Sequence, residues 1–548
     1  MMNAERLQDA SLPPSRQFQR TATRVAVAGF LLSIVGLIAH QASYWYWTSD
    51  DAFITFRYSE NLANGLGAVF NPGEKVEGYT NFLWMIILST LYHAGANIVL
   101  TAKLLGAACA ILTLVLSAAL TRYFQGRWTL AAIIAPMILA STPSYAAWSV
   151  AGLETSLFTM LITLAVWRFS VEQERLSAVR WSGILLALAA MTRPEGVLIF
   201  LLLLGFSTVR AAVLGRSPSI GVARQELRWV LMFLAIAAPY MAWRWSYYGY
   251  LFPNTFYVKS GRGLVQLLGG VLYVTAGIRK HGGMLFHALA LAPAIWGPLR
   301  SRAAPFAVVI LGWQVYDIYK GNDVLELFRF FVPILPIVYS MAAVALVQLY
   351  ELVEAHLPTR GMAKALLALF VAGTVATNLV MSYASRDERI QLKEYQLQIR
   401  IGDAEFRQYA KRLMEISPGG ASIALVDAGV IPYMTRWYTI DRFGLCDVHI
   451  AHTRPRGRLG EKFDEAYVLS RQPVFIQTKV TARMEENGQI ALGWAGDAEL
   501  FANERFREEY VRLEDPELDG FFVRREKVPH LRLGTHTPTG RVQERRGT

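Results

Sequence analysis

The segment Ser49–Trp84 reads SDDAFITFRYSENLANGLGAVFNPGEKVEGYTNFLW and directly follows the first long apolar segment, 24–42. A segment in this position is expected to lie at a membrane surface. It opens with two adjacent carboxylates, Asp50 and Asp51. Acidic side chains at the mouth of a membrane span cost free energy to desolvate, so a functional role is the first hypothesis for them. The alternative is a solvated loop in which the aspartates cap the next helix.

The composition is that of a membrane protein. Of the 548 residues, 53% are hydrophobic and only 18% are charged, whereas about a quarter of the residues of a soluble protein are charged. The formal net charge of +12 does not predict a nucleic-acid partner, because several basic residues lie in short loops between apolar segments, where they orient a membrane protein. The two cysteines, Cys109 and Cys446, indicate neither a disulfide framework nor a zinc site.

Hydropathy predicts apolar segments at 24–42, 79–95, 98–121, 128–143, 151–170, 180–213, 228–246, 283–298, 304–319, 328–350 and 363–383. The block at 180–213 is too long for one crossing, and Pro194 is expected to divide it into two helices. If 79–95 is an interfacial helix, the arginine-rich loops all fall in the cytoplasm. The resulting prediction is an all-α polytopic bundle of about eleven transmembrane helices. It would lie in the inner (cytoplasmic) membrane, with a cytoplasmic N-terminus.

On this topology the outer ends of the spans hold the unusual polar side chains, and the inner loops hold mostly scattered arginines. A site assembled from several loop ends on one face of a bundle is typical of membrane-embedded active sites. The polar residues at the outer ends are Asp50, Asp51, Arg57, Glu77, Glu154, Arg193, Glu195, Asn254, Lys259, Lys320, Asp323 and Arg329.

The composition changes near residue 385, where charge becomes dense and no further span follows. The runs SIALVD (422–427) and VFIQT (474–478) predict short buried strands, and 404–416 predicts an amphipathic helix. We therefore expect a membrane module at 1–384, a small extracytoplasmic α/β domain at 385–528 and a disordered tail at 529–548. The aromatic residues of the α/β domain would either grip an acceptor polysaccharide or pack in its core, and packing is the commoner fate.

An external acid pair together with cations at other span ends fits a lipid-linked substrate that carries a phosphate. In sugar transfer from a polyprenyl phosphate, the phosphate needs only positive charge to hold it as the bond breaks. One general base then suffices to deprotonate the attacking hydroxyl group. A glycosidase, by contrast, needs an acid as well as a base or nucleophile. The pattern therefore favours a transferase with membrane lipids and a lipid-phosphate donor as partners.

Several motifs together carry a resemblance to a known family. They are the 50–84 segment and the sequences GLETSLF (152–158), TRPEG (192–196), YGYLFPNTFY (248–257), FRFFVPILP (328–336) and VDAGVIPY (426–433). In these motifs the chain resembles the mycobacterial terminal arabinofuranosyltransferases, which belong to the GT-C superfamily of polyprenyl-phosphate glycosyltransferases. The resemblance implies a GT-C fold, an inverting mechanism, a decaprenyl- or undecaprenyl-phosphate sugar donor and a glycan or glycolipid acceptor. It does not fix the sugar.

The resemblance also implies roles for individual residues. Asp50 is the expected general base and Asp51 the second choice. The residues expected at the donor phosphate are Arg57, Arg193, Lys259 and Arg329. Those expected at the sugar or acceptor are Tyr58, Glu77, Tyr79, Asn81, Glu154, Glu195, Asn254 and Asp323. The two aspartates could also hold a divalent cation through oxygen ligands, but nothing else in the first loop completes such a shell, so the question of a metal stays open.

Two other functions remain as alternatives. A non-catalytic membrane assembly or flagellar-motor control factor could use the same bundle, since a fold alone does not define a function. A transporter of lipid-linked sugars is less well supported, because the sequence shows no inverted half-repeat and no polar residues at both faces.

Overall fold

The structure is a computed structural model that describes residues 16–126, 130–175, 179–213, 220–259, 263–321, 323, 325, 327–354, 360–383, 405–455, 461–478 and 494–532. Contacts divide the chain into two compact units, and each consists of three chain segments. Unit 1 comprises Met1–Tyr46, Lys103–Ala237 and Gln266–Leu392, and unit 2 comprises Trp47–Ala102, Ala238–Val265 and Lys393–Thr548. The predicted domain boundary at 384 falls outside the described residues and stays a prediction, as does the tail at 529–548, of which 533–548 are not described.

The first part of the chain is helical. Its helices are α1 Arg16–Ser43, α2 Asp50–Ala63, α3 Phe82–His93, α4 Ile98–Gln125, α5 Ile134–Ser141, α6 Pro143–Val150, α7 Thr155–Arg175, α8 Trp181–Thr192, α9 Glu195–Val213, α10 Ile220–Tyr248, α11 Asn254–Lys259, α12 Gly263–Lys280, α13 Gly283–Ile295, α14 Arg300–Lys320, α15 Leu335–Glu354 and α16 Arg360–Tyr383. Two 3₁₀ turns, Leu130–Ile133 and Arg329–Ile334, precede α5 and α15.

Several of these helices are long and apolar enough to cross a membrane. Within the described residues there are four, and α6 with α7, which are bent by 116°, would make a fifth as one broken span. The chain is therefore a multi-pass membrane protein, and the predicted number of about eleven spans stays a prediction. The four segments are Arg24–Ser43, Ile98–Gln125, Glu195–Val213 and Arg329–Glu354.

The predicted division of the block 180–213 is confirmed. Helix α8 ends at Thr192 and α9 begins at Glu195. Between them Arg193 is extended, with φ −154° and ψ 139°, because the ring of Pro194 disfavours a helical conformation at the preceding residue. Proline is tolerated at the start of the next helix, because the N–H group that it lacks would have no hydrogen-bond partner within the helix there. The break places Arg193 between the end of α8 and the start of α9.

The core of unit 1 is built around α15. Every residue of this helix from Leu335 to Val347 is buried, and a helix that is apolar on all sides is stable only when its neighbours cover it. Helices α13 and α5 pack against it. It thus fixes the 3₁₀ turn Arg329–Ile334, which leads directly into it.

The remaining elements belong to unit 2. They are a helix at 405–416 (α17), followed by β1 Ser422–Leu425, α18 Val430–Thr435, β2 Tyr438–Asp441, α19 Val448–Ala451, α20 Glu465–Ser470, β3 Phe475–Gln477, α21 Ala495–Ala502, α22 Glu504–Glu509, β4 Tyr510–Arg512 and β5 Phe521–Arg524. The two predicted strands are present as β1 and β3, and the predicted amphipathic helix is present as α17. Strands β2, β4 and β5 were not predicted, because their short sequences YTID, YVR and FFVR each include a charged residue and form no continuous apolar run.

The five strands form one sheet in the order β2-β1-β3-β5-β4. Strand β1 is parallel to both β2 and β3, whereas β5 is antiparallel to β3 and β4. Ile423 in β1 lies opposite Thr439 in β2 and Phe475 in β3. The centre of the sheet is thus a small parallel arrangement with β1 in the middle.

Successive residues of β1 point to opposite faces of the sheet, and each face has its own core. Ile423 and Leu425 belong to a cluster that also contains Ile54 and Tyr58 of α2. Helix α2 therefore packs on this face of the sheet. The opposite face is covered by helices α20, α21 and α22, and its cluster contains Ala424, Ile440, Ile476, Val468, Leu469, Leu500 and Phe506.

Candidate functional site

Asp50 and Asp51 form the first turn of α2. Acidic side chains are favourable there because the start of a helix carries a partial positive charge. The capping residue of the helix is Ser49, which makes no side-chain capping bond. The alternative in which Asp50 caps the helix is therefore wrong, because Asp50 is already the first helical residue. Its carboxylate instead contacts another element of unit 2.

That element is the loop Asp427–Val430, which follows β1. The backbone N–H of Val430 donates a hydrogen bond of 2.8 Å to Oδ1 of Asp50. Gly429 lies so close that a Cβ built on it would overlap both the carbonyl oxygen and the carboxyl group of Asp50. Only a glycine fits at this position without a shift of one partner, so the contact is a specific one.

The surroundings of Asp50 favour its protonated form. Burial of the carboxyl group, followed by the negative charge of Asp427, raises its pKa to about 8, and the N–H of Val430 partly offsets this rise. Asp51 raises the pKa further, and the N–H of Gly429 lowers it. A carboxylate with a pKa near the working pH is suited to general base catalysis, because it can accept a proton and release it again.

Arg57 lies two turns further along α2 and is buried. Its five N–H groups all have partners in unit 2: the carbonyl oxygens of Phe70, Pro432 and Trp437, the amide oxygen of Asn71 and the hydroxyl group of Thr439. These bonds tie α2 to the connection between β1 and β2. Its predicted contact with a donor phosphate stays a prediction, and it would require one of these bonds to be exchanged.

Glu77 forms a buried ion pair with Arg244 of α10, in which Nε lies 2.7 Å from each carboxylate oxygen. Arg244 also donates to the carbonyl oxygen of Leu251 at 2.6 Å. Burial raises the pKa of Glu77, and the bond with Arg244 opposes this rise. Sequence reasoning missed Arg244; a charged residue near the end of an apolar segment was the available signal.

The other unit 2 residues predicted at the sugar or acceptor are held within the protein. The Tyr58 hydroxyl group donates to the carbonyl oxygen of Val76 at 2.6 Å, and the hydroxyl groups of Tyr79 and Tyr248 lie 3.0 Å apart. Asn81 donates to Thr55 at 3.0 Å. Asn254 donates to the carbonyl oxygen of Gly444 at 2.7 Å. The predicted cation Lys259 is exposed at the end of α11.

In unit 1, Arg193 lies between two carboxylates. Its Nη1 is 2.7 Å from Glu154 and its Nη2 is 2.9 Å from Glu195. The Tyr316 hydroxyl group also donates to Glu195, at 3.2 Å. Glu154, Arg193 and Glu195, which the sequence predicted at separate span ends, are therefore one connected group.

Three cations of unit 1 surround the ring of Phe330. Arg193, Lys320 and Arg329 all lie within 5.0 Å of its centroid. Arg329 pairs with Asp323 at 3.2 Å, and Lys320 lies 3.6 Å from the fully buried Asp317. We call this group the Phe330 cluster, and its members are Glu154, Arg193, Glu195, Asp317, Lys320, Asp323, Arg329 and Phe330.

The backbone that presents this cluster is strained. Leu327 and Phe328, directly before Arg329, have φ values of 55° and 49°. Left-handed conformations in residues other than glycine cost about 1–3 kcal/mol each and tend to occur at functional sites.

Lys320 and Asp317 were missing from the predicted site, although Lys320 was noted at the end of an apolar segment. A cation in that position was the signal that could have identified it.

The described residues offer no group of three or more His, Cys, Asp or Glu side chains that could hold a metal ion. One oxygen of Asp50 is already engaged by Val430. The described residues therefore offer no complete shell of protein oxygen ligands for a divalent cation. The use of such a cation stays a prediction.

Two relatives that the chain resembles by sequence are named as glycosyltransferases. The terminal β-(1→2)-arabinofuranosyltransferase of Mycobacterium tuberculosis is 26% identical over 244 residues, which are 42% of this chain and 37% of that protein. The enzyme of the same name from Corynebacterium glutamicum is 28% identical over 232 residues, 39% of this chain and 33% of that protein. The resemblance that the motifs predicted is thus confirmed. The matches span about a third of the length of these relatives, 37% and 33%.

Two further comparisons concern parts of the chain and its fold. A family model described as a domain of unknown function, DUF8728, matches residues 389–518. Among solved structures, ArnT from Cupriavidus metallidurans bound to undecaprenyl phosphate is similar with a TM-score of 0.46 and 15% sequence identity, over 77% of this chain and 86% of that one.

Proposed function

We propose that this protein is a membrane glycosyltransferase that moves a sugar, arabinofuranose in the first instance, from a polyprenyl-phosphate donor to a cell-envelope glycan or glycolipid. The observation that carries the proposal is the carboxylate of Asp50, which accepts a hydrogen bond from the backbone N–H of Val430 after β1 and has a pKa raised to about 8. The similarity to terminal arabinofuranosyltransferases supports the choice of sugar.

In the proposed reaction Asp50 is the general base. It accepts the proton of the acceptor hydroxyl group while the acceptor oxygen forms a bond to the anomeric carbon. The bond from that carbon to the phosphate oxygen breaks, and the electron pair leaves with the polyprenyl phosphate. Attack from the side opposite the leaving group inverts the configuration of the anomeric carbon. Asp51, the next residue on α2, is the second choice for the base.

The donor phosphate is proposed to bind cations of the Phe330 cluster. Positive charge is what a departing phosphate requires, and it is most effective in a site from which water is excluded. Arg193 and Arg329 were predicted for this role, and their common position around Phe330 with Lys320 supports adding the lysine. Since carboxylates already neutralise these cations, a phosphate would bind by exchange with an acidic partner.

The remaining predicted residues fall into two groups. Lys259 is exposed and keeps its proposed contact with the donor. Tyr58, Glu77, Tyr79, Asn81 and Asn254 hold the backbone around α2 through buried hydrogen bonds, so we propose that they shape the sugar and acceptor side. The proposed fold is of the GT-C type, with about eleven spans. The N-terminus would be cytoplasmic and residues 385–528 would lie outside the inner membrane.

The proposal is tested by transfer with the purified protein in lipid nanodiscs. The donor is a synthetic polyprenyl-phosphate arabinofuranose, and the acceptor is a short arabinofuranoside. We expect a new glycosidic bond from this donor and none from a nucleotide sugar. Transfer from a different polyprenyl-phosphate sugar would correct the sugar but keep the class of enzyme. The absence of transfer from every lipid-phosphate sugar tested, with intact protein, would favour a non-catalytic assembly role.

A further inference from the structure

The loop after β1 leaves the sheet at a place where α/β proteins commonly bind ligands. The chain passes from β1 to β2 on one side and later returns to β3 on the other side of β1. All three strands are parallel. In open sheets of this kind, ligands bind outside the carboxyl ends of the strands, at the point where the strand order reverses. Asp50 contacts the loop Asp427–Val430 at this point.

The loop is anchored firmly enough to hold a side chain in place. Ala428 is 3% exposed and Val430 is 1% exposed, so both are fixed in the interior of unit 2. Asp427, which lies between the end of β1 and Ala428, is only partly buried. The Val430 N–H reaches Oδ1 of Asp50, and Gly429 leaves just enough room for the carboxyl group.

We propose that the loop Asp427–Val430 positions the Asp50 carboxylate for base catalysis, so that the sheet of unit 2 is a working part of the candidate active site. The inference rests on the proposed function of Asp50 as the base. Because the loop lies within 389–518, it gives a role to the segment that matches a domain of unknown function. Gly429 and Val430 act on Asp50 by contact, and Asp427 acts on it by charge.

The charge effect supplies a readout that a purely structural role would not change. Two of the charged groups near the start of α2 are acidic, namely Asp51 on α2 itself and Asp427 on the loop. Two are basic: Arg407 on α17, whose guanidinium group lies 5.2 Å from the centroid of the Phe53 ring, and Arg436 just after α18. Of these, Asp427 contributes most to the raised pKa of Asp50, after burial. Removal of the Asp427 charge should therefore lower the pKa of Asp50 and move the acid limb of the pH profile of kcat/KM to lower pH.

The first test compares two glycine variants. Gly429→Ala places a methyl group on the Asp50 carboxyl group, whereas Gly419→Ala adds one in open space before β1. Displacement of a catalytic group by about 1 Å can lower the rate roughly 10²-fold, so we expect a loss of that order in kcat for Gly429→Ala, with the donor KM unchanged. Gly419→Ala should keep the kcat and the melting temperature of the wild type. Wild-type kcat in a folded Gly429→Ala protein would overturn the proposal.

The second test uses Asp427→Asn and does not depend on whether Gly429→Ala folds. The expected result is an acid limb of kcat/KM that lies at lower pH than in the wild type, and Asp519→Asn, an exposed control in the same unit, should not move it. An unmoved limb would overturn the role of Asp427. If Asp50→Asn itself kept full transfer, the assignment of Asp50 as the base would fail, whereas the absence of transfer by the wild-type protein would be the failure of the proposed function. If Asp50→Asn were inactive but both loop variants behaved as the wild type, only the positioning role would fail.

Discussion

The backbone N–H of Val430 donates a 2.8 Å hydrogen bond to the carboxylate of Asp50, a residue 380 positions earlier in the chain. The bond joins the first turn of α2 to the first residue of α18, which follows β1. It places the acid that sequence motifs single out on a rigid element, where its geometry and its protonation are both controlled.

The pH dependence of transfer should report the raised pKa of Asp50. A base acts only when it is deprotonated, and Asp50 loses its proton near pH 8 rather than at the usual value for an aspartate. We therefore expect kcat/KM of the wild type to increase with pH and to level off above about pH 8. Rates measured across buffers of constant ionic strength give the profile. A rate that is already constant from about pH 6 upwards would contradict this assignment.

Removal of the Glu77 charge should destabilise the protein. Glu77→Gln leaves Arg244 buried without a counter-charge, and breaking a buried ion pair costs about 3–5 kcal/mol. The free energy of unfolding, or the melting temperature in nanodiscs, measures the effect. The control is Glu415→Gln, which breaks an exposed pair with Arg412 and should change stability by less than about 1 kcal/mol.

The predicted contact of Glu77 with sugar or acceptor can be separated from this structural effect. If Glu77 also touches the substrate, the KM for the acceptor should rise in Glu77→Gln protein that is still folded. Equal melting temperatures of Glu77→Gln and Glu415→Gln would show that the buried pair with Arg244 is not important for stability.

Lys320 should contribute to donor binding. Hydrogen bonds to charged groups are worth about 1.5–3 kcal/mol, so we expect Lys320→Gln to raise the donor KM by about 10- to 100-fold. Lys411→Gln, at an exposed position of α17, is the control and should keep the donor KM of the wild type. Titration with polyprenyl phosphate alone measures the same affinity without turnover. An unchanged affinity in both measurements would exclude Lys320 from the donor site.

The configuration of the product tests the direction of attack. A single displacement with Asp50 as base inverts the anomeric carbon, because the acceptor oxygen approaches opposite the phosphate. Coupling constants of the anomeric proton in the donor and in the purified product establish the outcome. A product with the configuration of the donor would require two displacements, and with them a nucleophile that forms a covalent bond to the sugar.

The sequence predicted the local features of this structure well. Pro194 marks the break between α8 and α9 because proline acts on its immediate neighbours. The runs at 422–427 and 474–478 identified β1 and β3 because both are short, mostly apolar segments, as expected for strands that are buried on both faces. The acid pair was noticed because charges beside an apolar segment are conspicuous, and its catalytic role stays a prediction.

The contacts between distant parts of the chain were not predictable in the same way. The motif VDAGVIPY entered the resemblance, yet nothing in its spacing indicates that Gly429 lies against Asp50. Likewise, the sequence shows Lys320 and Arg193 only as separate cations, and their common position around Phe330 depends on helix packing. Periodicity reports the face on which a residue lies but not the element that covers it.

The rate of sugar transfer by Asp50→Asn shows whether Asp50 is the base. The substitution keeps the shape of the side chain and removes its ability to accept a proton. We expect kcat to fall by roughly 10²–10⁴-fold, while polyprenyl-phosphate binding and the melting temperature stay those of the wild type and Asp519→Asn keeps full activity. A folded Asp50→Asn protein that transfers the sugar at the wild-type rate would show that Asp50 is not the base.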